Sequence, residues 1–538
     1  MIPHLASAIN KTTPIATTIQ TTLDADLQQQ VTRIILQHHN QLKGNQINNA
    51  AAMVVEIETS NIKAYIGNVY LPADHEIESH VDILSSVRSP GSTLKPLLYA
   101  SLLTEGTILP KQLIPDIPTQ IGGYAPENFD LGYDGTVPAN RALSRSLNIP
   151  AVRLLQMYKY QHFYDVLKRC GITTLSKPAD FYGMSLILGG CEISPFELAG
   201  VYSSMARLYN HQQQNKGKWN AKDWLMPHYF QSTVNGRRST VDQSLFDYTA
   251  LWHTFNAMNE VMRPGEEGLW NLFSSAQRIA WKTGTSFGFR DGWAIGITPK
   301  YWVVVWVGNT SGVGRPDLTG INTAGPILFD IFRLLPKSAW FNAPSSGFNY
   351  INVCRQSGFK ASVDCAATDT IMVSESAKNA PICPYCKRIN LDKTASFRVT
   401  DNCESPADMV QTSWFILPPT IEYYYQQKHP DYKLLPSYKT GCNIDVAKVL
   451  DIIYPEEGAK IYVPIEASGE KGNTIFTATH RTKNSKLFWH LDDTYIGTTQ
   501  QFHQLALNPK PGNHLVTIID EQGNSVSRNF EILQKEKH

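Results

Sequence analysis

Several absences narrow this chain before any motif does. None of its runs approaches the ~18 consecutive apolar residues that a membrane-spanning helix requires. The most apolar stretch, Tyr301 to Val307, is short, β-branched and aromatic, and reads as a buried strand. The start of the chain, rich in Thr, Ala and Gln, has no charged segment leading into an apolar one. Neither a signal peptide nor an anchor is therefore expected in the sequence as written. An excess of either charge is also missing: 48 Lys and Arg against 47 Asp and Glu leave a net charge of +1, without basic runs. That balance gives no electrostatic ground for nucleic acid or an anionic membrane surface as partner. No segment repeats at a fixed period, which argues against solenoids and propellers.

What is present suits a large globular protein. The 538 residues are 42% hydrophobic and 10% aromatic, enough for a packed core and about three domains. A lead-in covers 1–45. It contains a Thr-rich stretch and then a helical pattern with Leu27, Val31, Ile34 and Ile35 on one face, Asp24 suiting the helix start. Residues 52–57 and 62–66 read as a hairpin around Thr59-Ser60-Asn61. From Ser92 to about Asn210 the signals are mainly helical, punctuated at Gly122-Gly123 and Gly189-Gly190, and a further helix fits 243–261. Three strands follow, at 278–285, 292–298 and 302–307. Two early strands, a helical insertion and three late strands make one α+β domain, 46–338, around a five-stranded sheet. Residues 339–445 read as a cysteine-rich region of loop character. Residues 446–538 alternate short β-rich runs with turns at 469–472 and 521–524, the pattern of a small all-β sandwich.

Ser92-Thr93-Leu94-Lys95 opens a helical stretch just after Pro90-Gly91. A separation of three places hydroxyl and ammonium one turn apart on one face. Pro96 falls in the first turn, where a missing N–H costs little. Alone the pattern is weak, since about one or two chance matches are expected in a chain this long. A second copy, Ser468-Gly469-Glu470-Lys471, lies in a glycine-containing turn and has no helix to align it. Two further elements add specificity. Ser146-Leu147-Asn148 lies at the junction of two helical stretches, with Pro150 beyond. Lys282-Thr283-Gly284-Thr285 sits on the first late strand and runs into the hairpin Arg290-Asp291-Gly292-Trp293. The competing Lys439-Thr440-Gly441 falls in a Pro- and Tyr-rich loop.

In this order the three elements match the motif set of penicillin-binding proteins and serine β-lactamases. The longer strings 88–96 (RSPGSTLKP), 142–152 (ALSRSLNIPAV) and 281–286 (WKTGTS) resemble the transpeptidase domain of class A penicillin-binding proteins, most closely the 1C type. The resemblance covers about residues 14 to 335, and the terminal β segment looks like the small C-terminal module of that type. It implies a penicillin-binding/β-lactamase-like fold and transfer of a peptidyl group from D-Ala-D-Ala stem peptides through an acyl-enzyme. Peptidoglycan would be cross-linked at the periplasmic face of the bacterial inner membrane, β-lactams would acylate the same serine, and no cofactor is needed.

Residue chemistry fits these roles. Ser92 is a poor nucleophile unless a base takes its proton. Lys95 can be that base only if its pKa falls well below about 10.4, toward which burial and a second ammonium, Lys282, both push it. Ser146 can relay a proton to the leaving amine, and Asn148 can fix Lys95 and the substrate amide. Lys282 suits the terminal carboxylate, shared with Thr283 and Thr285. Gly284 lets the substrate backbone approach, and the backbone N–H groups of Ser92 and Thr285 are the natural oxyanion donors. The bland readings are a helix cap for Ser92 or for Ser146 and Asn148, and a solvated side chain for Lys282. Glu192 and Glu197, candidate hydrolytic bases, read better as surface or helix-start carboxylates. Asp291 reads as hairpin support or a partner of Arg290, and Tyr423-Tyr424-Tyr425 as a packing or loop feature.

Of eight cysteines, Cys170 and Cys191 look like buried thiols, and six crowd between Cys354 and Cys442. Cys383-Pro384-Tyr385-Cys386 has zinc-knuckle spacing, but no equally clean second pair follows. Since the implied substrate lies outside the cytoplasm, disulfides are expected rather than a metal. Among 15 possible pairings of six cysteines, Cys354–Cys365 and Cys383–Cys403 are favoured. Class A enzymes also carry an anchor and a glycosyltransferase domain, for which too little chain precedes the first strand. Two expectations stand side by side: the sequence is a truncated piece of such a bifunctional chain, or polymerisation and anchoring come from a separate glycosyltransferase or cell-wall synthesis complex. Rival readings are a D,D-carboxypeptidase or β-lactamase-type hydrolase and a non-catalytic envelope-binding protein.

Overall fold

Asp24 sets the start of the lead-in helix: its carboxylate accepts the Leu27 N–H at 3.0 Å, satisfying one of the unpaired donors of a first turn. In the computed structural model, the described residues are all except 1, 13–17, 72–76, 120, 122–123, 213, 216–219, 231–244, 265–276, 443–448, 464–471, 483 and 535–538. A short helix α1 (Pro3–Thr12) precedes this one, α2 (Ala25–Leu42). Val31 and Ile35 are buried, with Leu27 and Ile34 packed beside them, so the apolar stripe lies against the sheet as its spacing predicts.

The sheet begins with the expected hairpin, β1 (Asn49–Glu56) and β2 (Ile62–Ile66). A large insertion follows. It contains α3 (Lys95–Thr104), the two-stranded β3 (Leu113–Asp116) and β4 (Gly135–Pro138), α4 (Ala139–Ser144) and α5 (Asn148–Tyr158). It continues through α6 (Tyr160–Arg169), α7 (Ala179–Tyr182), α8 (Pro195–His211) and α9 (Tyr248–Asn259). The chain then returns through β5 (Ala280–Thr285), β6 (Asp291–Ile297) and β7 (Tyr301–Gly308), followed by α10 (Gly325–Leu334). The order is β2-β1-β7-β6-β5, antiparallel throughout. β1 pairs with β7, Ala52 opposite Val305, which joins the two ends of the domain. Alternate residues of these strands feed two cores: Met53, Val55, Trp302 and Val304 pack with the helical insertion, and Ala52, Val54, Val303 and Val305 with α2 and α10. Both faces are thus covered, which explains why β7 is apolar on every residue instead of alternating. β5 is left as an edge strand.

The region read as loop is more ordered than expected. It contains the hairpin β8 (Phe348–Cys354) and β9 (Thr368–Ser374), the hairpin β10 (Cys386–Leu391) and β11 (Val410–Phe415), and α11 (Pro419–Lys428). Few residues of these strands are fully buried, so no strong apolar alternation marks them in the sequence. The pairing Cys383–Cys403 is also corrected. Cys403 is bonded to Cys442, with Cα atoms 5.0 Å apart. A bridge between Arg398 and Tyr438 carries the later segment alongside the earlier one. Cys354, Cys365 and Cys383 carry free thiols, as does Cys386.

The C-terminal module is a sandwich, as expected. β12 (Leu450–Tyr454), β13 (Ala459–Ile461), β14 (Thr474–His480), β15 (Leu487–Leu491), β16 (Thr494–Thr499), β17 (Gln504–Leu507), β18 (Gly512–Asp520) and β19 (Ser525–Ile532) form two sheets. Their orders are β12-β14-β17 and β13-β19-β18-β15-β16. The turn at 521–524 is tied by the Asp520 carboxylate, which accepts from Gln522 N and Asn524 N at 2.9 and 2.8 Å. The turn at 469–472 and the second Ser-x-x-Lys copy fall largely outside the described residues. Trp489 lies fully buried in the core with Phe476, Val516, Ile518 and Phe530. Trp489→Ala is predicted to cost the module about 3–5 kcal/mol. The loss should appear as an earlier thermal transition in circular dichroism, with the sheet of the larger domain melting at its former temperature.

Candidate active site

The turn that carries Ser92 is fixed by its packing against the edge strand. Gly91 to Leu94 form a turn of 3-10 helix that runs into α3. Gly91 has φ +52°, and a Cβ there would stand 2.7 Å from both N and O of Thr285. Only glycine allows this approach. The reverse face is equally tight: a Cβ on Gly284 would lie 2.5 Å from Pro90 O. The bareness of Gly284 therefore serves the protein's own turn, where the sequence suggested substrate. Trp293 Nε1 donates to Ser89 O at 2.8 Å, Thr93 Oγ1 to Pro90 O at 2.9 Å and Tyr202 Oη to Thr93 O at 2.5 Å. These bonds hold Ser92, half-buried, beside the edge strand.

Lys95 is buried one turn on. Its Nζ donates to Ser146 O at 2.7 Å, Leu147 O at 3.1 Å and Asn148 Oδ1 at 2.7 Å. Burial, and next the Lys282 ammonium, hold its pKa well below the ordinary lysine value. Three acceptors describe the charged form, whereas burial favours the neutral one. Loss of a proton gives up one of these bonds and exposes a lone pair. The Ser92 hydroxyl makes no hydrogen bond among the described residues. Lys282 Nζ donates to Ser146 Oγ and to Thr283 O, both at 2.7 Å. Burial pushes its pKa down to about 7. Lys282 has no exposed surface, so direct contact with a substrate carboxylate is not set up. Thr283 and Thr285 stand half-buried on the edge strand. Thr285 Oγ1 accepts from Gly320 N at 3.1 Å, leaving its own proton for another acceptor.

Ser146 thus meets both lysines, one through its carbonyl and one through its hydroxyl. Its backbone explains how. Ser146 N donates to Leu143 O and Leu147 N to Ala142 O, each at 3.0 Å. This is a Schellman ending of α4, with Ser146 at the left-handed position (φ 59°) where glycine is usual. A serine there puts a hydroxyl where Lys282 arrives. The start of α5 is capped from outside. Asn128 Oδ1 accepts from Asn148 N and Ile149 N at 2.9 and 3.2 Å, and its amide donates to Asp116 Oδ1 at 2.8 Å. Asn148 Nδ2 donates to Glu127 O at 2.8 Å. Asn128 escaped the sequence reading because it lies in an aperiodic polar loop.

Glu197 is not a free base. It sits at the start of α8, after the cap Ser194, and accepts from N and Oγ1 of both Thr173 and Thr174. Glu192 is exposed. Asp291 supports its hairpin through Ser286, and its carboxylate accepts from Trp306 Nε1 at 2.9 Å, with no bond to Arg290. Tyr424 packs on Tyr133 and Tyr425 on His429 within and beside α11, as a packing role requires.

An edge strand bearing Lys-Thr-Gly, packed on a helix that opens with Ser-x-x-Lys, defines a class, and the comparisons agree. Residues 50–333 match the penicillin binding protein transpeptidase domain, and the chain belongs to that family. Residues 440–530 match the Penicillin-Binding Protein C-terminus Family. Penicillin-binding protein 1C of Escherichia coli (strain K12) is 32% identical over 317 residues, 59% of this chain and 38% of that protein. Penicillin-binding protein 1F of Bacillus subtilis (strain 168) is 26% identical over 304 residues, 54% and 39% respectively. The chain therefore spans under half the length of these relatives. The crystal structure of penicillin-binding protein 1A from Haemophilus influenzae is similar at a TM-score of 0.49 and 19% identity, over 62% of this chain and 54% of that one.

Two outcomes follow from the geometry. Gly284→Ala should leave the fold intact by circular dichroism but displace the Pro90–Gly91 turn, slowing acylation by a labelled penicillin about a hundredfold. Lys282→Gln removes the ammonium that depresses the Lys95 pKa. The acid limb of the acylation-rate profile should then move to higher pH, whereas Lys282→Arg should leave it in place.

Proposed function

We propose that the chain is a serine D,D-transpeptidase acting on D-Ala-D-Ala stem peptides. The observation that carries this reading is the junction of two buried lysines at Ser146, one of them, Lys95, a single helical turn beyond Ser92. Ser92 Oγ attacks the penultimate D-alanine carbonyl as Lys95 takes its proton. Backbone N–H groups of Ser92 and Thr285 receive the oxyanion, an interaction of a kind worth ~10²–10³ in rate. Ser146, held by a hydrogen bond from Lys282, relays the proton that Lys95 took from Ser92 to the departing D-alanine amine, which leaves Lys95 neutral again. The terminal carboxylate is met by the hydroxyls of Thr283 and Thr285, with Lys282 acting behind them through its field. An acceptor amine then attacks the acyl-enzyme and frees Ser92.

The carboxypeptidase or β-lactamase alternative needs water activated at the acyl-enzyme. Glu197 is fully engaged by Thr173 and Thr174, which favours transfer over hydrolysis. The substrate's location puts the site at the periplasmic face of the inner membrane. No helix among the described residues is long and apolar enough to cross a membrane.

A labelled penicillin tests the reading. A long-lived adduct should form on the wild type and vanish in Ser92→Ala. With a stem pentapeptide and an acceptor amine, cross-linked product should exceed hydrolysed tetrapeptide. No adduct removes the acyl-enzyme, and rapid release of the adduct turns the assignment to a β-lactamase-type hydrolase.

A further inference from the structure

One cluster of reactive side chains has no part in this chemistry. Cys354 ends β8, Cys365 lies in the turn before β9, and Cys383 and Cys386 lead into β10. Their four sulfurs lie within 4.8 Å of one another. Three are buried and Cys365 half-buried. Strand geometry makes the grouping: Cys354 N donates to Phe359 O, and Cys383 N to Lys360 O, both at 2.8 Å. These bonds fold the segment after β8 back beside the Cys383–Cys386 knuckle.

The spacing of the sulfurs suits a metal better than disulfides. Bonded sulfurs sit about 2.0 Å apart. Four thiolates about 2.3 Å from one tetrahedral zinc ion are separated by about 3.8 Å. The sulfurs of Cys354 and Cys386 are 3.6 Å apart. Donors also converge on the sulfurs: Ser357 Oγ on Cys383 Sγ at 3.1 Å, and Ser362 N on Cys365 Sγ at 3.3 Å. Such outer donors stabilise and orient thiolate ligands. The surrounding apolar core is small, made mainly of Leu113, Phe359, Tyr385, Phe415, Leu417 and Ile421, a size that usually calls for a staple.

We propose that Cys354, Cys365, Cys383 and Cys386 hold one zinc-class divalent cation in a closed tetrathiolate site. The four thiols lose their protons on binding, no oxidant is consumed, and the coordination shell leaves no position for substrate. The role is structural. It revises the disulfide expectation for Cys354, Cys365 and Cys383 while Cys403–Cys442 stays bonded. The second pair was hidden in the sequence because the chain between Cys354 and Cys365 is longer than a knuckle permits.

The test is elemental analysis of the full chain purified with zinc in the medium and no thiol reductant. One zinc per chain is expected. Four thiols beyond Cys170 and Cys191 should become reactive only after chelation in denaturant. Cobalt(II) exchanged into the site should give thiolate charge-transfer and tetrahedral d–d bands. Cys383→Ser or Cys386→Ser should lose the metal, and Cys170→Ser should keep it. If the variants fail to fold, metal content and thiol count of the wild type decide alone. A metal-free chain overturns the proposal, whether mass spectrometry finds the four cysteines in two disulfides or as free thiols.

Discussion

Everything at this site depends on placing two lysines around one serine in a space too dry to charge both. Burial and the neighbouring like charge both disfavour the charged form of a lysine here. Lys95 bears the larger burden, since burial and Lys282 both act on it, whereas Lys282 answers mainly to burial. Ser146 makes the arrangement tolerable. Its carbonyl receives the proton-rich face of Lys95 and its hydroxyl receives Lys282. The cost is a serine in a left-handed backbone conformation, held there by the helix ending that surrounds it.

The fold exists around that requirement. Lys95 comes from α3, Ser146 from the α4–α5 junction and Lys282 from the edge strand β5. The antiparallel order β2-β1-β7-β6-β5 joins the two ends of the domain and leaves β5 unpaired along one edge of the sheet. The helical insertion lies across the same face and delivers the other groups. Contact between Gly91 and the Thr285 backbone then sets the distance between nucleophile and strand. Loosening of that contact would leave every catalytic group present and none in register.

Much of this was legible in the sequence, and the reasons differ by element. β7 was readable because burial on both faces demands continuous apolar residues, and α2 because one face alone is buried. That Lys95, Ser146, Asn148 and Lys282 would meet was legible because their motifs recur in a fixed order along the chain. The contact of Gly284 with Pro90 O was not legible because alternation along a strand does not say what lies opposite. Asn128 and the Cys403–Cys442 bond were invisible for another reason. Both depend on loops whose paths are set by tertiary contacts, not by local pattern. The hairpins of the cysteine-rich region escaped because exposed strands carry little apolar signal.

That region is not an appendage to the site. Leu113 N of β3 donates to Ser357 O, next to the cysteine cluster, at 2.9 Å. From β3, Asp116 accepts from Asn128, Asn128 accepts from the start of α5, and Asn148 accepts from Lys95. A second tie runs from Lys428 on α11 to Asp134 at 2.8 Å, and from Asp134 to Arg145, the residue before Ser146. Each link is a hydrogen bond or ion pair between groups with few alternative partners, and several are buried, where losing a partner costs most. The β3–β4 hairpin is therefore clamped on one side by the cysteine-rich region while its other side orients the catalytic lysine. A continuous chain of hydrogen bonds thus joins the cysteine-rich region to Lys95.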